Sequence, residues 1–366
     1  MGRPTDPFLF AHTTPDVVWM SQNTNHFPPH PAITAALQEA IAAGRYHGYP
    51  YAPGLPGLAP LILQDLGLQD GWEVLLTSGG TEALYILLRA LLHRGDEMLT
   101  HDPSYLIIHH FAHVAEATTA DVPIYDHLQR YDVSTLHEHI TDRTKLLLLI
   151  DPINPLGTGY SPQEVRAIAE VATDHDLLVI DDITYRDFAD SHTLVADHAP
   201  ERTLIAYSFS KNAGMAGMRT GALVAPTALM KRCRPFNTND LSINILGQVA
   251  AKAALQTKSA WLPQVRTVTR DNQALIKAAV DRLDGLSLPV YPSQANMFVI
   301  DLAQAGLDPT ALQEELLYEH RVFVRSGSYV SKSFGQRFIR TSFSIAPEGI
   351  RRFCTALPIA VEALRA

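Results

Sequence analysis

One lysine in a glycine-punctuated stretch carries the chemistry that stands out first. From Tyr207 to Gly221 the chain reads Tyr-Ser-Phe-Ser-Lys-Asn-Ala-Gly-Met-Ala-Gly-Met-Arg-Thr-Gly. Lys211 has Ser208 three residues before it and Arg219 eight after it. Glycines at 214, 217 and 221 let the backbone between them turn tightly. One apolar run, Thr203 to Tyr207, leads in, and another, Ala222 to Ala225, leads away. The segment predicts an amine at a strand end, with a hydroxyl and a guanidinium nearby to hold a dianion.

Four more clusters lie upstream at similar places, and a fifth lies downstream. Thr77-Ser-Gly79-Gly80-Thr81-Glu-Ala83 joins a predicted strand to a predicted helix, where backbone N–H groups and glycines make a phosphate cradle. Asp102-Pro-Ser-Tyr105 follows the next strand and offers a ring for stacking. Asp151-Pro-Ile-Asn154-Pro-Leu-Gly157 is a turn with a free amide. Asp182-Ile-Thr-Tyr185 closes the run Leu-Leu-Val-Ile-Asp with a carboxylate and a phenol. Far downstream, Arg340 in Arg337-Phe-Ile-Arg340-Thr-Ser-Phe-Ser is a two-pronged partner for a carboxylate.

An amine for a Schiff base, a hydroxyl and a guanidinium for phosphate, and an acid for a ring nitrogen together match what pyridoxal phosphate requires. Ser-Phe-Ser-Lys211, with Gly214 and Arg219-Thr-Gly221, resembles the lysine motif of the class I and II, fold-type I aminotransferases. Asn154-Pro-Leu-Gly157 is similar to that family's Asn-Pro-x-Gly turn, with Leu156 in place of the usual threonine. Ala-Asn-Met-Phe at 295–298 and Val324-Arg-Ser-Gly327 resemble the histidinol-phosphate aminotransferase-like branch. The resemblance implies roles residue by residue. Lys211 would carry the cofactor, Asp182 would face its ring nitrogen, and Asn154 and Tyr185 would donate to its phenolic oxygen. Tyr105 would stack on the ring. Gly79, Gly80, Thr81, Ser208 and Arg219 would hold the phosphate, joined by Tyr49 from a partner subunit. Arg340 would bind the substrate α-carboxylate. Thr220 departs from the apolar residue that usually follows the arginine, which bears on packing rather than chemistry.

The elements that must position these residues read as an α/β chain. Short apolar runs (73–77, 97–100, 120–123, 145–150, 177–181, 203–207 and 222–225) alternate with helical segments (80–93, about 105–115 and 162–174). Continuous apolar strands between helices predict a mostly parallel, seven-stranded sheet covered on both faces, and its ligands belong at the strands' carboxyl ends. Residues 1–31 read as an ordered but irregular arm, followed by helices over 32–43 and about 56–66. Beyond about 240, helices at 243–255, 265–283, 309–319 and 347–365 mix with strands at 297–301, 321–324 and 337–341. The expected division is a large cofactor-binding domain over 46–240. The arm (1–45) and a smaller α+β domain (241–366) make up the rest.

Composition narrows the partners. The 366 residues are 46% hydrophobic, with Lys+Arg 29 against Asp+Glu 38, a formal charge of −9. No basic tract stands out, so nucleic acid and anionic membranes are poor partners. Two cysteines build no disulfide framework, and the sixteen histidines show no metal-ligand spacing. No long apolar run suggests a signal peptide or spanning helix, so a cytoplasmic protein is expected. The resemblance implies a homodimer that moves an amino group between an L-amino acid and a 2-keto acid through Lys211. Decarboxylation or elimination on the same cofactor is the alternative. His26 and His47 are candidates for the substrate pocket.

Overall fold

A computed structural model describes residues 6–365. Its arm is more regular than the proline-rich sequence suggested. Asp6 accepts from Phe8 and Leu9 N–H groups and Pro7 opens the first turn, so Pro7–Thr13 forms a short helix. A two-residue strand, β1 (Val18–Trp19), then pairs in parallel with a distant segment, Val322–Phe323. Phe8 and Trp19 both pack edge-on against Phe323. The arm is therefore tied to the far end of the chain before it reaches residue 20.

The central sheet holds β2 (Trp72–Thr77), β3 (Glu97–Asp102), β4 (Thr118–Pro123), β5 (Thr144–Ile150), β6 (Leu178–Asp182), β7 (Thr203–Ser208) and β8 (Gly221–Pro226). Their order is β2-β8-β7-β6-β5-β3-β4, and only β8 runs against its neighbours. The reason is local. A parallel return needs a crossover of a dozen or more residues, usually a helix. Between β7 and β8 there is only a loop with one 3₁₀ turn, Ala216–Met218. That loop carries Lys211 and Arg219. Helices Gly80–Leu91 and Ile107–Val114 pack on one face, and Pro162–Asp174 on the other.

The second part has its own three-stranded antiparallel sheet, in the order β11 (Arg325–Ser326), β12 (Phe338–Ser342), β9 (Met297–Asp301). The remaining strand, β10, is the Val322–Phe323 segment paired with β1. Phe298, Ile339 and Phe353 belong to an apolar cluster separate from those around the large sheet. Beyond the arm, other helices differ from the sequence reading, the unpredicted Thr227–Cys233 among them. The long one spans Lys258–Val280 rather than 265–283, because Pro263 is accommodated inside it instead of marking its start. A short helix over Val133–His139, opened by an Asp132–Thr135 capping box, had no apolar period to announce it.

Candidate active site

Five strand ends of the large sheet, those of β2, β3, β5, β6 and β7, open onto one cavity of about 200 Å³. Gly80, Thr81, Tyr105, Asn154, Asp182, Tyr185, Ser208, Lys211 and Arg219 all line it. Gly79 stands just behind this lining, and Arg340 approaches from β12.

At one end is an anion cradle. The helix Gly80–Leu91 starts with Gly79 at φ 91°, ψ 169°, and no side chain caps it. The glycines here are required by space. A Cβ on Gly79 would sit 2.7 Å from Arg219 Nη2, and one on Gly221 would sit 2.6 Å from the Gly79 carbonyl carbon. A Cβ on Gly80 would come 3.3 Å from that of Ser208. Arg219 itself adopts a left-handed φ of 49°. Its guanidinium donates to the carbonyls of Ala216 (2.9 Å) and Ser78 (3.2 Å) and forms no ion pair among the described residues. An uncapped helix start beside an unneutralised guanidinium and the hydroxyls of Thr81 and Ser208 is the donor set for a phosphate dianion. The residues present fit pyridoxal phosphate.

At the other end Asp182 is buried, and both hydrogen bonds it accepts from Thr184, N–H at 3.1 Å and Oγ1 at 2.5 Å, fall on Oδ1. Burial raises its carboxyl above the usual range, and the charge of Lys211 opposes that rise. Asp181, the other candidate, lies beneath the sheet and accepts from Val195 N–H at 3.0 Å. Tyr105 closes one side, its hydroxyl 3.2 Å from Thr81 Oγ1.

Between these ends Lys211 is half-buried and donates to the Gln22 carbonyl at 2.8 Å. Burial, then the charges of Arg340 and Arg219, pull its amine down to about 7, with Asp182 opposing. An amine so placed is largely unprotonated just above neutral pH, which suits both nucleophilic attack and proton transfer.

Arg340 is 4% exposed and lies in the middle of β12. Nη1 donates to Asn154 Oδ1 at 2.9 Å and Nη2 to the Ser21 carbonyl at 2.5 Å, while Nε has no partner among the described residues. Arg337 turns away, pairing with Asp126 at 2.8 Å and Asp301 at 3.3 Å over the Tyr125 ring. Tyr49 lies outside this cavity and is 85% exposed. His26 and His47 are exposed and do not line the cavity.

Sequence reasoning missed the arm's share of the site. Ser21, Gln22 and Asn23 touch Arg340, Lys211, Tyr185 and Asn154, and Asn25 Nδ2 holds the Asn212 carbonyl at 2.8 Å. The only signal was a run of small polar residues, Ser21 to Asn25, that the helix and strand patterns leave unexplained. Thr184 and Ser210 were also missed. Both are hydroxyl neighbours of residues that were identified.

The chain matches the family model for aminotransferase class I and II over residues 15–357. It is 30% identical to a histidinol-phosphate aminotransferase of Symbiobacterium thermophilum, covering 98% of this chain and 95% of that one. An aspartate aminotransferase of Pyrococcus horikoshii is 26% identical over 93% of this chain and 90% of its own. Among solved structures, an aromatic aminotransferase from Pyrococcus horikoshii superposes with a TM-score of 0.83 at 26% identity, covering 98% and 99% of the two chains.

Proposed function

The chain belongs to the class I and II aminotransferases, and on that premise we propose that Lys211 is the residue that carries its pyridoxal phosphate. The family's substrates are small: an amino acid and a keto acid. The observation that carries the Lys211 assignment is its place on one cavity with the Arg219 guanidinium, which has no ion pair among the described residues, and the buried Asp182 carboxylate, where burial pulls the amine down. Bound there, pyridoxal phosphate supplies the electron sink for a carbanion at the substrate α-carbon.

The chain's own residues do the rest. Thr81, Ser208, Arg219 and the helix start behind Gly79 and Gly80 would hold the phosphate. Asp182 would hold a proton at the ring nitrogen, and Tyr105 would cover the ring and exclude water. Asn154 and Tyr185 would present donors to the phenolic oxygen. Arg340 takes the α-carboxylate, for which Nε is open and Nη2 must exchange the Ser21 carbonyl. Lys211 Nζ, free once the amine of the substrate has taken its place, would accept the α-proton and hold it for redelivery. Lys211→Ala should abolish the imine absorbance and nearly all turnover, and normal transamination by that variant would refute the assignment.

A second anionic group on one substrate is supported by Arg325. This guanidinium is 7% exposed, stacked 3.5 Å over the Tyr329 ring, and near enough to Arg340 for the two charges to oppose each other. It forms no ion pair among the described residues. Aspartate, named for one relative, carries such a group beside its α-carboxylate, and histidinol phosphate, named for another, carries a phosphate in place of that carboxylate. Amino donors with and without a second anion, tested against 2-oxoglutarate and pyruvate, would decide it by kcat/KM.

The reading includes a homodimer in which Tyr49 reaches the partner's phosphate site. Tyr46, Tyr49 and Tyr51 are exposed together on one short segment, which supports it. It also includes a cytoplasmic location, for cell fractionation to check. The division at 46–240 stays part of the proposal, supported by the separate apolar cluster of the second part. Helix Ile245–Gln256, whose Ala250 packs in one cluster with Ile33 and Leu58, serves as the joint.

A further inference from the structure

Asn23 sits where the arm crosses the cavity, and its setting is unusual for an amide. It is 1% exposed and holds a left-handed φ of 54°, a conformation asparagine tolerates better than most residues. Its carbonyl accepts from Asn296 Nδ2 at 3.1 Å. Its side-chain Nδ2 reaches two groups at once, Tyr185 Oη at 3.1 Å and Asn154 Oδ1 at 3.4 Å. Its own Oδ1 has no partner among the described residues. A half-paired buried amide is a poor choice for stability alone, so the donor side must account for it.

What that donor does follows from hydrogen-bond inventories. Arginine has only donors, so Arg340 fixes Asn154 with its oxygen toward β12 and its NH₂ on the opposite side of the amide. Asn23 adds a second donor to the same oxygen. A phenol has one hydrogen and two lone pairs. With Asn23 donating into Tyr185 Oη, the phenolic hydrogen is left for another acceptor, and Tyr185 lines the cavity. A hydroxyl that accepts a hydrogen bond is also a stronger donor. We propose that Asn23 is a positioning residue that keeps the Tyr185 hydroxyl and the Asn154 amide turned into the cavity as donors. This rests on the reading that those two groups face the cofactor's phenolic oxygen. Arg340, Asp182 and Tyr105 face Tyr185, with Lys211 and Arg219 beyond them, and all stay in place in the variants below.

Two donors on an oxygen stabilise its anion, so the coloured cofactor loses its proton at lower pH. The test is the pH midpoint of the visible band in holoenzyme, a quantity that a loosened fold alone does not move in a fixed direction. Asn23→Ala should raise the midpoint by roughly 0.5–1 unit. Asn23→Asp should raise it further, because a carboxylate accepts from the hydroxyl and turns it away. In a Tyr185→Phe background the Asn23→Ala shift should shrink to less than half. An unmoved midpoint in Asn23→Ala, or a full shift retained without the phenol, overturns the proposal. Tyr185→Phe and Asn154→Ala separate the two levels. If neither moves the midpoint, the site reading fails and this inference with it. If they move it and Asn23 does not, only this inference fails.

Discussion

The two walls of the cavity are built differently. The large-domain wall consists of strand ends and one short loop, and its charged groups are held by the sheet they terminate: Asp182 by Thr184, and Arg219 by two backbone carbonyls. The opposite wall is the arm and β12, where contacts are made by backbone carbonyls lent from elsewhere. Gln22 accepts from Lys211 and Ser21 from Arg340. A substrate carboxylate can replace a borrowed carbonyl. It cannot replace Asp182. The fixed wall therefore suits a resident cofactor and the exchangeable wall suits a substrate that comes and goes.

Substitutions should split along that line. The largest effect belongs to Lys211→Ala, with turnover falling on the order of 10³-fold or more, read by steady-state kinetics. Asp182→Asn should lower kcat by roughly 10²-fold with little change in KM, since it removes the acid that keeps a ring nitrogen protonated. Arg340→Ala should do the reverse, raising KM for amino acids about 10- to 100-fold through lost charge-assisted hydrogen bonds. Cofactor affinity, measured by fluorescence titration, should stay within about twofold in that variant, because Arg340 sits on the exchangeable wall. A large loss of cofactor from Arg340→Ala would erase the distinction between the walls.

Gly79→Ala sharpens it from the other side. A methyl there meets Arg219 at 2.7 Å on a backbone with φ 91°, so cofactor affinity should fall about tenfold or more while KM for the amino donor moves little.

The smallest effect is a pH dependence. In cofactor-free protein the Lys211 amine lies at about 7, below its ordinary value of 10.5. Between those values the unfolded chain binds the extra proton, so this residue's contribution to stability rises with pH across that window. The wild-type urea midpoint should therefore gain on that of Lys211→Met from pH 7 to 10. A constant difference would mean the amine is not depressed.

The same contrast explains what the sequence disclosed. Strand ends are legible because a continuous apolar run stops at a fixed point and the polar residues that follow alternate between faces: after Leu177–Ile180, Asp181 turns to the far side of the sheet and Asp182 to the cavity. Gly79, Gly80 and Gly221 were legible because glycines mark close approach: backbone crowds Gly221, and the Arg219 and Ser208 side chains crowd Gly79 and Gly80. The arm gave no such mark. Ser21, Gln22 and Asn23 act through carbonyls and one amide in an irregular segment, and tertiary pairing of β1 with β10 brings them over the lysine. The Thr220 departure also resolves by packing. Its hydroxyl bonds the Met218 carbonyl at 3.2 Å, and a Cβ on Gly247 would lie 2.2 Å from it, so a glycine opposite makes the room. Arg340 over Arg337 was decided by neighbours 200 residues away, Asp126 drawing the latter outward.

The central claim is a covalent one and can be read directly. Holoenzyme reduced with borohydride, digested and examined by mass spectrometry should carry the reduced cofactor's mass on the peptide containing Lys211. A label on any other lysine, or an unlabelled Lys211 peptide from protein shown to hold the cofactor, would contradict the account.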